Sequence, residues 1–251
     1  MDLEGKVALV TGGARRVGRA IALALAARGM DVLVHYHRSE AEAQETVEQI
    51  RALGVRAEAA QANLGNPLDI EHMVVVLENY FGRVDVLVNN ASTFQARDAL
   101  EMTIDEWNYV MAVNLRAPFL CCQRAAHLML ARASQGVVVN IADVAGLVPW
   151  PRFPHHSVSK AGLIMLTEVL AKTLGPEIRV NAVVPGPVLT LAGIGRSPAA
   201  TAHRGTGERR AGGDRAGRER LHHRRSAQGG RRRLAGGFGG RGVEPPFAPG
   251  T

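Results

Sequence analysis

The sequence has few of the features that mark a secreted, disulfide-stabilised or membrane-embedded protein. Two cysteines occur in 251 residues, and Cys121 and Cys122 are neighbours that cannot form an ordinary structural disulfide. Thiols of this kind are typical of a reducing compartment. The sequence has no apolar run of about 18 residues, and MDLEGKVALVTGG at the N-terminus lacks the basic start of a secretion signal. These absences predict a cytoplasmic protein without a membrane span.

An excess of positive charge is also absent, except near the C-terminus. Residues 191–251 hold 13 arginines and 4 acidic residues, whereas residues 1–190 hold 17 basic and 19 acidic residues. The C-terminal segment also contains 15 of the 28 glycines and almost no apolar periodicity, so it cannot bury a core. We therefore expect one folded domain over residues 1–190 and an irregular Arg/Gly-rich tail over residues 191–251.

Strand-like apolar runs alternate with amphipathic helical segments throughout residues 1–190. Runs rich in β-branched residues, each followed by apolar spacings of three and four, predict an α/β fold. The expected architecture is a doubly wound parallel sheet, Rossmann-like, with helices on both faces. The predicted strands are 6–13, 31–37, 56–63, 84–92, 136–143 and 179–186, and the longer predicted helices are 15–29, 39–54, 103–132 and 155–174.

Two stretches indicate a dinucleotide site. TGGARRVG, residues 11–18, joins the first strand to the first helix, where glycines admit a pyrophosphate and a helix N-terminus offers N–H groups. HYHRS, residues 35–39, ends the second strand, where an acid is typical for NAD and basic groups for the 2′-phosphate of NADP. His37, Arg38 and Ser39, with Arg15, favour NADP(H). The alternative for residues 11–18 is a plain turn between a strand and a helix. The alternative for residues 35–39 is a basic surface turn that contacts only solvent.

Six motifs stand in the order and spacing of the short-chain dehydrogenases/reductases, which the chain resembles over residues 1–190. They are TGGARRVG, VNNAS (88–92), Asn114 in VNLRAPF, NIAD (140–143), SVSKAGL (157–163) and RVNAVVPGPV (179–188). The chain is similar above all to the pteridine reductase branch. That branch carries an arginine at the position of Arg16, an HYHRS-like stretch, a Ser-x-Phe matching Ser92 and Phe94, and an aspartate matching Asp143 in place of the usual catalytic serine.

This resemblance implies NADPH-dependent reduction of a pterin-like heterocycle or a small carbonyl compound. It implies that Phe94 stacks a flat ring against the nicotinamide, that Arg16 and Ser92 bind the polar edge of that ring, and that Asp143 helps to deliver a proton. A plain core or rim position is the alternative for Phe94. No metal site is expected. The implied cofactor contacts are Gly12, Arg15, Arg16, Val17, Gly18, His37, Arg38, Ser39, Asn63, Leu64, Asn90, Ala91, Ser92, Lys160, Pro185 and Gly186, with Asn63 at a position where an aspartate commonly contacts the adenine.

One position departs from the family pattern. His156 stands four residues before Lys160, where the family has a tyrosine that exchanges a proton with the reacting atom. Imidazole, with an ordinary pKa of about 6.5, suits acid catalysis near neutral pH. It is shorter than a phenol, however, and a neighbouring lysine favours its neutral form. We therefore expect Asn114, Asp143, His156 and Lys160 to form the catalytic group of a slow enzyme or of a catalytically impaired NADP-binding pseudoenzyme.

The Arg-rich tail has two interpretations. Segments such as FGGRG (238–242) bind RNA through phosphate charge and stacking, but Phe238 and Phe247 are the only aromatic residues in the tail. Read in a shifted frame with permissible codons, residues 221–232 yield a sequence that resembles the C-terminal strand of the family. The same shift over residues 206–211 and 216–219 permits other short stretches, and these stand in family order and spacing. We interpret the tail as a frameshift product that begins between residues 190 and 199. Nucleic-acid binding is then unlikely, and the family's usual homo-oligomer is doubtful because its last strand would be missing.

Overall fold

The computed structural model describes residues 2–132 and 135–186. In this part of the chain, six parallel strands form one sheet in the order β3-β2-β1-β4-β5-β6. This arrangement confirms the predicted doubly wound α/β fold. The strands are β1 (Val7–Val10), β2 (Asp31–Tyr36), β3 (Ala57–Gln61), β4 (Val86–Asn89), β5 (Gly136–Ile141) and β6 (Ile178–Val183). The helices are α1 (Arg16–Ala26), α2 (Glu40–Arg51), α3 (Pro67–Phe81), α4 (Ile104–Met111), α5 (Ala117–Ala131) and α6 (Pro154–Leu174).

The central strands are apolar without interruption because both of their faces are covered. Every residue of β1 is buried. Val7 and Leu9 join one apolar cluster with residues of α3 and α5, whereas Ala8 and Val10 join another with residues of α1 and α2. Since burying a valine or leucine side chain contributes about 1.5–3 kcal/mol, both layers of helices stabilise the same strand.

The helix predicted over residues 103–132 is interrupted. It comprises α4, a π-helical turn (Ala112–Arg116) and α5. A π-helical turn inserts one extra residue into the helical repeat, and such turns are frequent at functional sites. Asn114, a predicted catalytic residue, lies in the middle of this turn.

The candidate site lies at the carboxyl ends of the strands. β1 pairs with both β2 and β4, so the order of the sheet reverses there, and ligands of open α/β sheets bind in the crevice at such a point. The loops that follow β4 and β5 contact the first turn of α6 at this edge, and the loop that follows β1 contacts the loop after β4.

Neither residues 2–132 nor residues 135–186 include a helix with both the length and the apolar character needed to cross a bilayer. The frameshift and RNA-binding interpretations concern residues outside these ranges.

Candidate active site

The turn after β1 packs tightly against its surroundings. Gly12 has a φ of 62°, in the left-handed region that favours glycine. A Cβ on Gly12 would lie 3.1 Å from the Cα of Ala91, and a Cβ on Gly18 would lie 2.0 Å from the Gly12 carbonyl oxygen. Glycine at position 18 therefore lets the first turn of α1 approach the loop closely.

Side chains from the β4 side hold this turn in place. The Asn90 Nδ2 donates to the carbonyl oxygens of Thr11, at 2.9 Å, and Gly12, at 3.2 Å. The Thr11 hydroxyl accepts from the N–H groups of Asn90 and Ala91 at 2.9 and 3.0 Å. The structure thus brings the predicted residues Gly12, Asn90 and Ala91 together.

His35 holds the same turn from the β2 side, and the sequence did not predict this role. Its side chain is buried, with Nδ1 2.9 Å from the Gly12 nitrogen and Nε2 3.0 Å from the Ala62 carbonyl oxygen. Burial lowers the pKa of His35 to about 4, although the bond to Ala62 acts in the opposite direction. The ring is therefore neutral near neutral pH. The available signal was a histidine inside the otherwise apolar strand DVLVHY.

The predicted phosphate-binding side chains lie around the N-termini of α1 and α2. Arg15 precedes α1 and lies 3.5 Å from Glu42, in the first turn of α2. Arg16 begins α1 with a φ of 52°, which is rare for a residue with a side chain. Ser39 is the N-cap of α2 and follows His37 and Arg38 directly. Cationic groups and helix N-terminal amides of this kind fit a phosphorylated dinucleotide.

The remaining predicted cofactor residues lie in loops at the same edge of the sheet. The Asn63 Oδ1 accepts from the Gly65 N–H at 3.0 Å, so Asn63 holds its own loop, and its contact with adenine stays a prediction. Leu64, beside it, is buried. Pro185 accepts from the Val144 N–H at 3.2 Å, which places the segment after β6 beside the loop after β5. Gly186 follows Pro185 and is exposed.

Lys160 is buried one helical turn after His156 in α6. Its Nζ donates to the Ile141 carbonyl oxygen at 2.8 Å. Burial lowers the pKa of Lys160 to about 8, and the negative charge of Asp143 limits this decrease. Lys160 therefore loses its positive charge as the pH rises through about 8.

Asn114 joins the loop after β4 to α6. Its Oδ1 accepts from the Thr93 N–H at 2.8 Å and from the Ser92 hydroxyl at 3.2 Å. Its Nδ2 donates to the Thr93 carbonyl at 3.0 Å and to the Ser159 hydroxyl at 3.1 Å. Asn114 is thus a buried connector whose position fixes the neighbouring groups.

His156 lies at the centre of this group, with 2% of its surface exposed. Its Nδ1 is 3.3 Å from the Thr93 carbonyl oxygen and 3.4 Å from the Asn114 Nδ2. Its Nε2 is 3.6 Å from the Asp143 Oδ2, and within the described ranges it has no hydrogen-bond partner. The protonated ring therefore has an acceptor on one side and a carboxylate near the other.

The Asp143 carboxyl group favours its ionised form. Burial acts to raise the pKa of Asp143, but the contact with His156, the Ala145 N–H and the charges of His156 and Lys160 together lower it below its ordinary value. The Ala145 N–H lies 2.7 Å from Asp143 Oδ1. An ionised carboxylate at this position is a hydrogen-bond acceptor beside Nε2.

Aromatic rings border the site beside His156. Phe94 is 53% exposed, which places it at the rim rather than in the core. Its ring stacks on Phe153 with centroids 4.3 Å apart and meets the His156 ring edge-to-face at 4.8 Å. Trp150 packs near both phenylalanines. The stacking of Phe94 on a substrate stays a prediction, and its pairing with Phe153 was not predicted.

A doubly wound sheet has a glycine turn at its switch point, beside buried Asn114, His156 and Lys160 and the half-buried Asp143. This combination defines a nucleotide-dependent oxidoreductase of the α/β class. The chain belongs to the short-chain dehydrogenase family, which it matches over residues 6–198. Members of this family use NAD(P)H and act on small molecules.

Similar proteins include several reductases and dehydrogenases. The chain is 41% identical to a 3-oxoacyl-[acyl-carrier-protein] reductase of Synechocystis, over 75% of this chain and 76% of that protein. It is 38% identical to 3beta-hydroxysteroid dehydrogenase 1 of Eggerthella lenta, over 75% of this chain and 73% of that protein. The crystal structure of acetoin dehydrogenase from Enterobacter cloacae covers 74% of this chain, and the chain covers 77% of it, with a TM-score of 0.72 and 37% identity.

These relatives confirm the family, but they do not support the pteridine reductase branch. Their names refer to oxoacyl, hydroxysteroid and acetoin chemistry. The assignment to that branch depended on a few residues such as Arg16 and Asp143, whereas the sequence identity to these relatives extends over most of residues 1–190. The residues of the site are therefore the best guide to the substrate.

Proposed function

We propose that the protein is an NADP(H)-dependent reductase of a small carbonyl compound in which His156 replaces the catalytic tyrosine. The observation that carries this proposal is the position of the His156 Nε2, 3.6 Å from the Asp143 carboxylate. Histidine is the side chain most often used to transfer protons in catalysis, and a nearby carboxylate stabilises its charged form.

The preference for NADP(H) is supported by charge. Arg15 lies beside the first turn of α2, and Arg38 and Ser39 precede that helix. Guanidinium and hydroxyl groups form strong bonds to phosphate, and an aspartate or glutamate suited to the ribose of NAD is missing from HYHRS. When bound, the dinucleotide supplies the hydride.

The protein's own task in this reaction is to deliver a proton. The His156 Nδ1 lies 3.3 Å from the Thr93 carbonyl oxygen, and Nε2 lies 3.6 Å from the Asp143 carboxylate, so Nε2 is the ring nitrogen that delivers the proton in this proposal. That proton passes to the carbonyl oxygen of the substrate as the oxygen becomes negative. The contacts of Nδ1 with Thr93 and Asn114 hold the ring in its orientation. We expect slow turnover, because a misplacement of about 1 Å can cost on the order of 10²-fold in rate.

A second candidate is the reduction of a C=N bond in a pterin-like ring. The observation that favours it is Asp143 itself, since an ionised carboxylate accepts hydrogen bonds from ring N–H groups but repels a bare carbonyl oxygen. The exposed ring of Phe94 offers a surface for a flat heterocycle. Both substrate classes therefore belong in one assay.

The test begins with titration of the purified protein with NADPH and NADH. NADPH oxidation is then followed with an acetoacetyl thioester, with diacetyl and with a dihydropterin, for the native protein and for His156→Phe. Turnover of a ketone that is lost in His156→Phe supports the proposal. Turnover of the dihydropterin alone supports the second candidate. Binding of NADPH without turnover indicates the pseudoenzyme, and failure to bind either dinucleotide would contradict all three.

The cytoplasmic location stays a prediction, as does the expectation that the family's usual homo-oligomer is doubtful for this chain. Phe119, Met165 and Val169 are partly exposed and line an open apolar groove bordered by α4, α5 and α6. Light scattering of the purified protein measures its oligomeric state directly.

A further inference from the structure

We propose that His35 is a positioning residue of the dinucleotide site, whose imidazole sets the distance between the glycine turn and the loop after β3. The inference rests on the proposed binding of a dinucleotide. The glycine turn is expected to meet the pyrophosphate, and Asn63 and Leu64 in the other loop are expected to meet the adenine. His35 lies between these two regions.

Each ring nitrogen of His35 contacts a different loop. Nδ1 accepts from the Gly12 N–H at 2.9 Å, and Nε2 donates to the Ala62 carbonyl at 3.0 Å. Ala62 directly precedes Asn63 in the chain. One rigid ring therefore spans the gap between the two halves of the expected cofactor site.

These two partners require one tautomer. Nδ1 must be unprotonated because it accepts from a backbone N–H, and Nε2 must carry the proton because it faces a carbonyl oxygen. Burial lowers the pKa of His35 to about 4, so this neutral form prevails near neutral pH. An asparagine places an acceptor near the Nδ1 position, but its shorter side chain keeps the amide nitrogen from reaching the Nε2 position.

The backbone of His35 adds a further contact with the turn. Its carbonyl oxygen accepts from the Gly13 N–H at 2.9 Å. The ring and the carbonyl of His35 together occupy the N–H groups of Gly12 and Gly13. A pyrophosphate is then left to the amides at the N-terminus of α1, which His35 orients through the turn.

Loss of the ring contact should leave the fold intact. The turn is still held by Asn90 and Thr11 on the β4 side, and the loop after β3 is still held by the bond from the Ala62 N–H to the Tyr36 carbonyl at 2.9 Å. What changes is the spacing of the two loops. A ligand that contacts both loops should therefore lose more affinity than a ligand that contacts one.

The experiment compares full-length native protein with His35→Asn and His35→Phe, and with His72→Asn as a control at an exposed position of α3. Dissociation constants are measured for NADPH, which spans both loops, and for adenosine 2′-monophosphate, which has the adenine end without the pyrophosphate. We expect His35→Phe to weaken NADPH binding by about tenfold or more, the equivalent of one hydrogen bond, and to change binding of adenosine 2′-monophosphate by less than about threefold. His35→Asn should lie between His35→Phe and the native protein, and His72→Asn should match the native protein.

Equal weakening of both ligands in the His35 variants, or no weakening of NADPH binding, would overturn the inference while leaving the proposed function in place. Failure of the native protein to bind NADPH would instead remove the proposed function and, with it, the positioning role. NMR of the histidine ring nitrogens in the native protein gives a second test that does not depend on the variants. A proton on Nε2 and a bare Nδ1 in His35 are expected, and a proton on Nδ1 would overturn the inference.

Discussion

The Nε2 of His156 and the Oδ2 of Asp143 lie 3.6 Å apart beside the rim aromatic Phe94. The family resemblance places a tyrosine and a serine at these two positions, so a pair of hydroxyl groups is replaced by an acid and a base. The Asp143 carboxyl group favours its ionised form, so the ring that replaces the tyrosine has a negative charge beside it.

Replacing Asp143 with asparagine should lower the turnover of a ketone. The carboxylate 3.6 Å from the His156 Nε2 becomes a neutral amide, so the negative charge beside the proposed proton donor is lost. The ratio kcat/KM, measured for the native protein and Asp143→Asn, checks this. Glu48→Gln, at an exposed position of α2, is the control. An unchanged kcat/KM in Asp143→Asn would show that Asp143 does not contribute to proton delivery.

Lys160→Met should stabilise the cofactor-free protein at neutral pH while weakening NADPH binding. Burial lowers the pKa of Lys160 from 10.5 to about 8, so folding opposes the charged form. Between these two values the unfolded chain binds more protons than the folded one, and this group's contribution to stability rises with pH. The difference in Tm between the variant and the native protein should therefore shrink as the pH rises from about 8.

Lys172→Met, near the exposed end of the same helix, is the matched control for Lys160→Met. It should leave the pH dependence of Tm unchanged. A gap between Lys160→Met and the native protein that stays constant across this pH range would contradict the assignment of a buried ammonium group with a lowered pKa.

Asp85→Ala should destabilise the fold without changing the site. Asp85 is fully buried, accepts from the Val7 N–H at 2.9 Å and forms an ion pair with Arg83 at the start of β4, the end of the strand opposite the site. The substitution leaves the buried Val7 N–H without its acceptor, which costs about 1–3 kcal/mol. The free energy of unfolding in urea measures this loss, and Glu48→Ala serves as the surface control. Folded Asp85→Ala should still bind NADPH within about twofold of native affinity. A larger loss of affinity would contradict the prediction that this substitution leaves the dinucleotide site unchanged.

The tail over residues 191–251 is predicted to arise from a shift of reading frame. An independent nucleotide sequence from codon 150 through the stop codon should reveal one inserted or deleted base between codons 190 and 199. An intact frame would contradict this interpretation. Binding of the protein to RNA with a steep salt dependence would then become the next property to measure.

Much of the fold could be predicted because strand and helix periodicities are local. Five of the six observed strands lie within predicted ones, and β6 (Ile178–Val183) begins one residue before its predicted start. The predicted catalytic residues Asn114, Asp143, His156 and Lys160 lie close together, and their catalytic roles stay predictions. The π-helical turn at Ala112–Arg116 was missed because one inserted residue barely alters an apolar pattern that repeats every three or four residues. The stacking of Phe94 on Phe153 was missed because it joins two loops far apart in sequence.

His35 shows a different limit of sequence analysis. Within HYHRS it is one of several polar residues, and the basic character of that stretch directed attention to a phosphate. Only the structure shows that this histidine points into the protein and bonds to Gly12 and Ala62. Partners of a buried polar group are set by tertiary packing, which a strand pattern does not encode.

The most direct test of the account is the rate of NADPH oxidation by four proteins at a saturating ketone concentration: native, His156→Phe, His156→Tyr and His72→Tyr. The account predicts slow native turnover, a loss of about 10²-fold or more in His156→Phe, and a gain in His156→Tyr, since a phenol restores the reach of the family's acid. His72→Tyr, on the surface of α3, should match the native rate. Equal rates for the native protein and His156→Phe, with NADPH bound in both, would contradict the claim that His156 delivers the proton.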